Sequence, residues 1–317
     1  MVGPADGSAV LLGLACGDAL GRPVEFQSAD EIAATHGRVT ELLADGTHGQ
    51  PAGTVTDDTE LALCLARSLL DRGGFDGRDV ADRFLAWYED DPFDVGLLTA
   101  DALRAYRRGA GWRDAGREVW RDRPEGQNAG TGRVMRCAPH AIAFADDPEA
   151  LVRISRRSSA ITHADPRCTW GCAVLNCTIA GLARGDPSPL EAALAFVERA
   201  GTAAAARDDL PVELLEALRP VPDRIDPEQL RPTGYVVDTL QIALQTALTA
   251  DSAEEAIVTA VSRGGDTDTI GAVTGALAGA RFGSDGLPDR WLSELQYRED
   301  LDLLGRALAT MSFDAPS

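Results

Sequence analysis

The sequence predicts an all-α fold, a single compact orthogonal helical bundle. Apolar residues recur at three- and four-residue steps through most of the 317 residues, the period of a helix with one buried face. No convincing run alternates apolar and polar side chains as a half-buried strand does. Alanine is abundant and clusters of β-branched residues are few, which favours helices packed closely on small side chains.

The helical period runs first over 8–20. It returns over 57–71, where Thr56 offers an N-cap hydroxyl, Asp57 and Asp58 fall in the first turn, and Gly73-Gly74 stops the helix. Segments 78–90 and 95–108 follow, with Asp94 placed to cap the second. Further helices are expected over 149–160, 167–183 and 190–200. From 201 to 234 the chain turns rich in charge and proline (Pro211, Pro220, Pro222, Pro227, Pro232), which breaks any long helix and marks an excursion with short helical pieces. The period resumes over 235–249, 253–261, 269–281 and 300–310, and the tail from Ser312 to Ser317 is expected to fray. Within 269–281, Gly271, Gly275 and Gly279 stand four apart, a bare stripe that another backbone can approach closely. Acidic motifs lie on both sides of the proline-rich stretch and point to one site, so one domain over 1–317 is expected.

Charge narrows the function classes. Asp and Glu number 50 against 30 basic residues, all of them arginine, for a net charge of −20. Such a surface repels phosphate backbones and disfavours nucleic acid as a partner, except as a modified substrate. The first residues show no basic stretch followed by an apolar core. No segment reaches the roughly 18 uninterrupted apolar residues of a spanning helix, so a cytoplasmic protein without membrane attachment is expected. The six cysteines lack paired CxxC spacing and read as reduced, buried thiols.

The chemistry-bearing residues are carboxylates at two helix starts. Gly53-Thr-Val-Thr-Asp-Asp-Thr-Glu60 opens one helix, and Arg263-Gly-Gly-Asp-Thr-Asp-Thr-Ile270 opens another some two hundred residues later. The macrodipole accounts for one acidic residue at each start. The second start presents Asp266 and Asp268 between hydroxyls, with Thr269 beside them, more than a cap requires. If the two starts meet, Asp57, Asp58, Asp266 and Asp268 crowd one volume, and no lysine exists to neutralise them. Oxygen ligands from Asp and Thr suit hard Mg²⁺ or Mn²⁺, and four carboxylates match two divalent ions about 3.5–4 Å apart, an arrangement that activates water or clamps substrate oxygens.

Five motifs in order, Gly13-Leu-Ala-Cys-Gly-Asp-Ala-Leu-Gly21, Thr56-Asp-Asp-Thr59, Met135-Arg-Cys-Ala-Pro139, His163-Ala-Asp165 and Gly264-Gly-Asp-Thr-Asp-Thr-Ile-Gly271, resemble the ADP-ribosylglycohydrolase family from about residue 8 to 283. The resemblance implies an all-α bundle with a dinuclear Mg²⁺/Mn²⁺ site, and an enzyme that removes ADP-ribose from a modified acceptor, foremost an ADP-ribosylated protein side chain such as arginine. By position, Thr56, Asp57 and Asp58 look like one set of metal ligands and Asp266, Asp268 and Thr269 like the other. Glu25 would act as general acid/base or orient a metal-bound water, with Asp58 also in the catalytic set. Asp94 is similar to an aspartate beside the leaving group, where a carboxylate can pair with a guanidinium. Gly130, Thr131, Gly132 and Met135 fall where the family has a glycine-containing loop that contacts ADP-ribose, and His163 and Tyr235 resemble neighbours of the phosphates and ribose. The chain departs from the family pattern at Thr131-Gly132, where Asn-Gly is usual. Other ADP-ribosyl linkages (serine, a nucleobase, a small molecule), a non-catalytic ADP-ribose-binding or immunity module, and a metal-dependent phosphohydrolase are the alternatives.

Overall fold

The computed structural model describes residues 2–124, 126–202 and 210–313. Among them the regular elements are α-helices and short 3-10 turns, and strand-like pairing is confined to isolated bridges. In chain order the helices are α1 (Pro4–Gly21), α2 (Ala29–His36), α3 (Asp57–Arg72), α4 (Gly77–Glu89), α5 (Leu97–Arg107), α6 (Ala115–Asp122), α7 (Ala138–Ala143) and α8 (Pro148–Ser159). There follow α9 (Pro166–Ala183), α10 (Pro189–Thr202), α11 (Val212–Leu218), α12 (Val236–Thr249), α13 (Ala253–Val261), α14 (Thr267–Phe282), α15 (Asp289–Glu294) and α16 (Arg298–Thr310).

Every segment expected from periodicity is helical. The additional helices α2, α6, α7, α11 and α15 have six to eight residues each, about two turns, too few for an apolar period to stand out. One of them carried a readable signal: Ser28 and Glu31 form a reciprocal capping box at the start of α2. One expected cap is corrected. Helix α5 starts at Leu97 with Gly96 as its N-cap, so Asp94 lies upstream of the helix and its carboxylate is free for other work. In the proline-rich excursion, Leu214, Leu215, Leu218 and Val221 are buried in the same apolar cluster as α1, α9 and α12. Residues 203–209 of that excursion, and 314–317 of the tail expected to fray, lie outside the described residues.

The glycine stripe of α14 meets a matching stripe on α1. A Cβ placed on Gly17 would stand 1.9 Å from the carbonyl oxygen of Gly271, one on Gly275 1.9 Å from that of Gly13, and one on Gly21 2.1 Å from that of Thr267. The pairing of 13 with 275, 17 with 271 and 21 with 267 makes the helices antiparallel, so the end of α1 lies on the start of α14. Thr267 Oγ1 donates to the Gly21 carbonyl at 2.8 Å and fixes that register. Gly7 and Gly305 bring α16 to the other side of α1 in the same way.

A side chain of α1 recruits the third helix. Asp18 is fully buried, and its carboxylate accepts the Thr56 and Thr59 N–H groups, each at 3.1 Å, and the Thr59 hydroxyl at 2.5 Å. The start of α3 is thereby tied to α1 within the stretch, Gly13 to Gly21, where α1 meets α14. Four residues on, buried Arg22 donates to the carbonyls of Leu43, Asp45, Gln50, Pro51 and Thr54. One guanidinium holds the loop between α2 and α3 against the helix end.

The contact between α1 and α14 has no room for a methyl group. Gly17→Ala should therefore cost about 3 kcal/mol of stability through overpacking, measured as a lower urea midpoint with an unchanged m-value. A midpoint equal to wild type would show that the helices can separate freely.

Candidate active site

The ends of α1, α3 and α14 converge, and the carboxylates named from the sequence converge with them. Carboxylate oxygens of Glu25, Asp266 and Asp268 lie within 4.8 Å of one another, and so do ligand atoms of Glu25, His48 and Asp94. Asp57 joins through the loop before α5, accepting the Gly96 N–H at 3.3 Å. Thr56 caps α3: its Oγ1 accepts the Asp58 N–H at 3.3 Å and donates to Asp58 Oδ2 at 3.1 Å.

Glu25 owes its position to the double glycine of the second motif. Gly264 and Gly265 have φ of +77° and +78°, and a Cβ on either would collide with backbone, at 2.5 Å from Gln27 O and 1.7 Å from Pro232 O respectively. The loop passes directly over the segment after Glu25, where Phe26 N–H donates to Gly265 O and Gly265 N–H to Gln27 O, both at 2.8 Å. Phe26 is held at φ +65° with its ring exposed, a backbone state that is rare for an aromatic residue.

The substrate-side residues named from the sequence gather beside the carboxylates. Thr131 Oγ1 donates to Asp266 Oδ2 at 2.8 Å, which ties the glycine loop to the start of α14. Thr269 Oγ1 lies 4.0 Å from the Met135 sulfur. His163 covers the glycine loop: a Cβ on Gly132 would stand 2.9 Å from its ring, and one on Gly130 3.6 Å. Its Nδ1 is 2.9 Å from the Thr162 hydroxyl, while burial, with Arg136 and Arg133 nearby, holds its pKa well below the usual histidine range and keeps it neutral. Tyr235 bridges to Gly130 through the backbone, and its ring lies 5.7 Å from the Arg167 guanidinium.

Asp18, Arg22 and His48 were missed in the sequence reading. Asp18 stands within the first motif, and only its burial beneath Thr56 and Thr59 reveals its function. His48 sits in an irregular loop with no periodicity to mark it, and its Nε2 is 2.5 Å from Glu25 Oε2.

The electrostatics are uniformly unfavourable to so many negative charges. Burial pushes Glu25 up to about 9, with Asp94, Asp266, Asp57 and Asp18 adding repulsion. Burial likewise pushes Asp18 up to about 7, against the hydrogen bonds it accepts. Asp58 and Asp268 are raised well above the carboxylate range, first by burial and then by acidic neighbours, Asp18 foremost for Asp58 and Asp58 foremost for Asp268. Asp58 Oδ1 and Asp268 Oδ1 are buried without a hydrogen-bond partner. Buried acceptors of this kind are costly unless something positive meets them. Glu25, Asp266 and Asp268 make an all-oxygen acidic cluster whose donor chemistry fits a metal ion.

Comparison with known proteins agrees with the geometry. The family described as ADP-ribosylglycohydrolase matches residues 8–315. The chain belongs to the ADP-ribosylglycohydrolase family. The chain is 32% identical over 295 residues to the ADP-ribosyl-dinitrogen reductase glycohydrolase of Rhodospirillum rubrum, covering 92% of this chain and 90% of the relative. It is 30% identical to the ADP-ribosylarginine hydrolase Tri1 of Pseudomonas putida, over 94% of this chain and 76% of the relative. A solved structure titled ADP-ribosylglycohydrolase-related protein complex matches with a TM-score of 0.80 and 36% identity, covering 99% of this chain and 100% of that one. Among the described residues no helix is long and apolar enough to cross a membrane.

The raised carboxylates make stability depend on pH with a definite sign. Folded Asp18 and Glu25 retain protons that the unfolded chain releases near pH 4, so stability falls as pH rises through their folded values. Buried His140 and His163, held neutral, oppose this trend only below about pH 6.5. In chelator, the melting temperature should therefore decline from pH 7 to 9, Glu25→Gln should flatten the decline, and added Mg²⁺ or Mn²⁺ should raise the melting temperature most at pH 9. A flat profile for the chelated wild type would contradict the charge crowding.

Proposed function

We propose that this ADP-ribosylglycohydrolase, acting as one domain with two Mg²⁺ or Mn²⁺ ions, hydrolyses the bond between ADP-ribose and an arginine side chain of a modified protein. The observation that carries the reading is the pair of buried, unpartnered carboxylate oxygens on Asp58 and Asp268 at adjoining helix starts. Thr56, Asp57 and Asp58 at the start of α3 and Asp266, Asp268 and Thr269 at the start of α14 would hold the ions. When bound, the ions supply positive charge that offsets the carboxylates and binds substrate oxygens.

The remaining work belongs to the chain's own side chains. Glu25, pushed up to about 9 by burial and its acidic neighbours, holds a proton at neutral pH; that proton passes to the departing acceptor nitrogen as the C–N bond breaks, and the carboxylate so formed takes the proton of the water that adds to the anomeric carbon. His48, at 2.5 Å from Glu25 and only half-buried, fixes the orientation of that carboxyl. Asp94 lies on the same edge and offers two oxygens to a guanidinium. Backbone N–H groups of Gly130, Thr131 and Gly132, the neutral ring of His163, Met135 and Tyr235 form the wall against which ADP-ribose is laid. The names of the Rhodospirillum and Pseudomonas relatives, one acting on a modified protein and one on ADP-ribosylarginine, favour the arginine acceptor.

Turnover of ADP-ribosylarginine and of a panel of other ADP-ribosyl linkages, followed by release of ADP-ribose, tests the reading. Asp58→Asn and Asp268→Asn should each lower kcat by about 10³-fold or more, chelation should abolish activity, and Mg²⁺ or Mn²⁺ should restore it. Asp94→Asn should raise KM for the arginine linkage more than for an O-linked one. Full activity of Asp268→Asn in chelator would overturn the mechanism, and release of AMP or phosphate would identify a phosphohydrolase.

A further inference from the structure

A cavity of about 870 Å³ opens between α6, α8, α9 and α10. None of the active-site carboxylates lines it. Five arginines do, with a single carboxylate, Glu149, on a chain whose net charge is −20. Some arginines elsewhere are held by two carboxylates each: Arg83 pairs with Asp71 and Asp79, and Arg290 with Glu41 and Glu254. Around the cavity, the side chains of Arg117, Arg153, Arg157 and Arg199 make no ion pair or hydrogen bond among the described residues. Burial lowers the pKa of Arg157, and Arg113 and Arg153 push it the same way. These four guanidiniums share the cavity with one carboxylate, Glu149, and repel one another. Such a gathering is relieved by an anion.

The walls add two further features. Trp170, buried in the first turns of the 18-residue α9, has an indole N–H with no hydrogen-bond partner. The ring of Phe196 lies 5.5 Å from the Arg199 guanidinium, and Trp120 is partly exposed at the rim. Aromatic faces beside guanidiniums suit a flat heterocycle joined to phosphates, and the volume lies within the range of small-molecule pockets.

We propose that this cavity is a second ligand site, taking a nucleoside polyphosphate with its phosphates on the arginines and its base against the aromatic rings, apart from the catalytic cleft. The two sites are neighbours, because Ala164 and Pro166 line the cavity while His163 covers the glycine loop. The experiment therefore fills the cleft first. Calorimetry of the Mg²⁺-loaded protein in saturating ADP-ribose should show one equivalent of ATP binding, pyrophosphate binding more weakly, and adenosine weaker still. Affinity should fall with added salt. Arg153→Gln combined with Arg157→Gln should weaken ATP at least about tenfold, with melting temperature and ADP-ribose affinity unchanged. Should that variant fail to fold, Trp120→Ala supplies the test, weakening ATP towards the pyrophosphate value. Absence of ATP binding at millimolar concentration, equal affinity for pyrophosphate and ATP, or adenosine binding as tightly as ATP would each overturn the proposal. None of these outcomes depends on turnover.

Discussion

The antiparallel contact between α1 and α14 sets backbone against backbone at its glycines, and the site depends on it. Where Gly13, Gly17 and Gly21 face Gly275, Gly271 and Thr267, the helices approach to a distance that no side chain permits. Closeness here is a matter of position more than of energy. It lays the end of α1, with Asp18, Arg22 and the following Glu25, directly on the start of α14, with Asp266 and Asp268. A bulkier contact would separate Glu25 from Asp268 and loosen the cluster that their charges already oppose.

Asp18 extends that constraint to the third helix. Its carboxylate accepts two backbone N–H groups and a hydroxyl at the start of α3, satisfying donors that a helix N-terminus leaves over. The cost is a buried carboxylate close to Asp57 and Asp58. Two helix N-termini offset part of the crowding through their dipoles, and Arg22, although near, spends its donors on the carbonyls of the 43–54 loop. What is left is an excess of carboxylates in a buried site, which a bound cation would offset. The protein thus concentrates carboxylates at one helix junction and arginines around the cavity beside α9.

Much of this was legible in the residues. The long helices announced themselves through their apolar period, and Thr56 capped α3 as its hydroxyl and position suggested. The motifs containing Asp57, Asp58, Asp266 and Asp268 carried enough surplus charge to imply a shared site, and Gly271, Gly275 and Gly279 marked a close contact. The four-residue spacing of Gly13, Gly17 and Gly21 carried the same signal for the partner helix and went unread. Two-turn helices such as α7 and α15 were beyond the reach of periodicity, because six residues hold fewer than two repeats of a helical face.

By itself the sequence determined where the long helices form and where surplus carboxylates stand, since period, caps and carboxylate excess are local properties of the polymer. Only the tertiary structure decided that Asp18 is a buried clamp rather than a solvated helix residue, that His48 reaches Glu25, and that Thr131 hydrogen-bonds Asp266. Those contacts join residues 23 to 135 positions apart, and no local pattern encodes which distant neighbour a side chain will meet. Packing selects that neighbour, here through the bare faces of two helices.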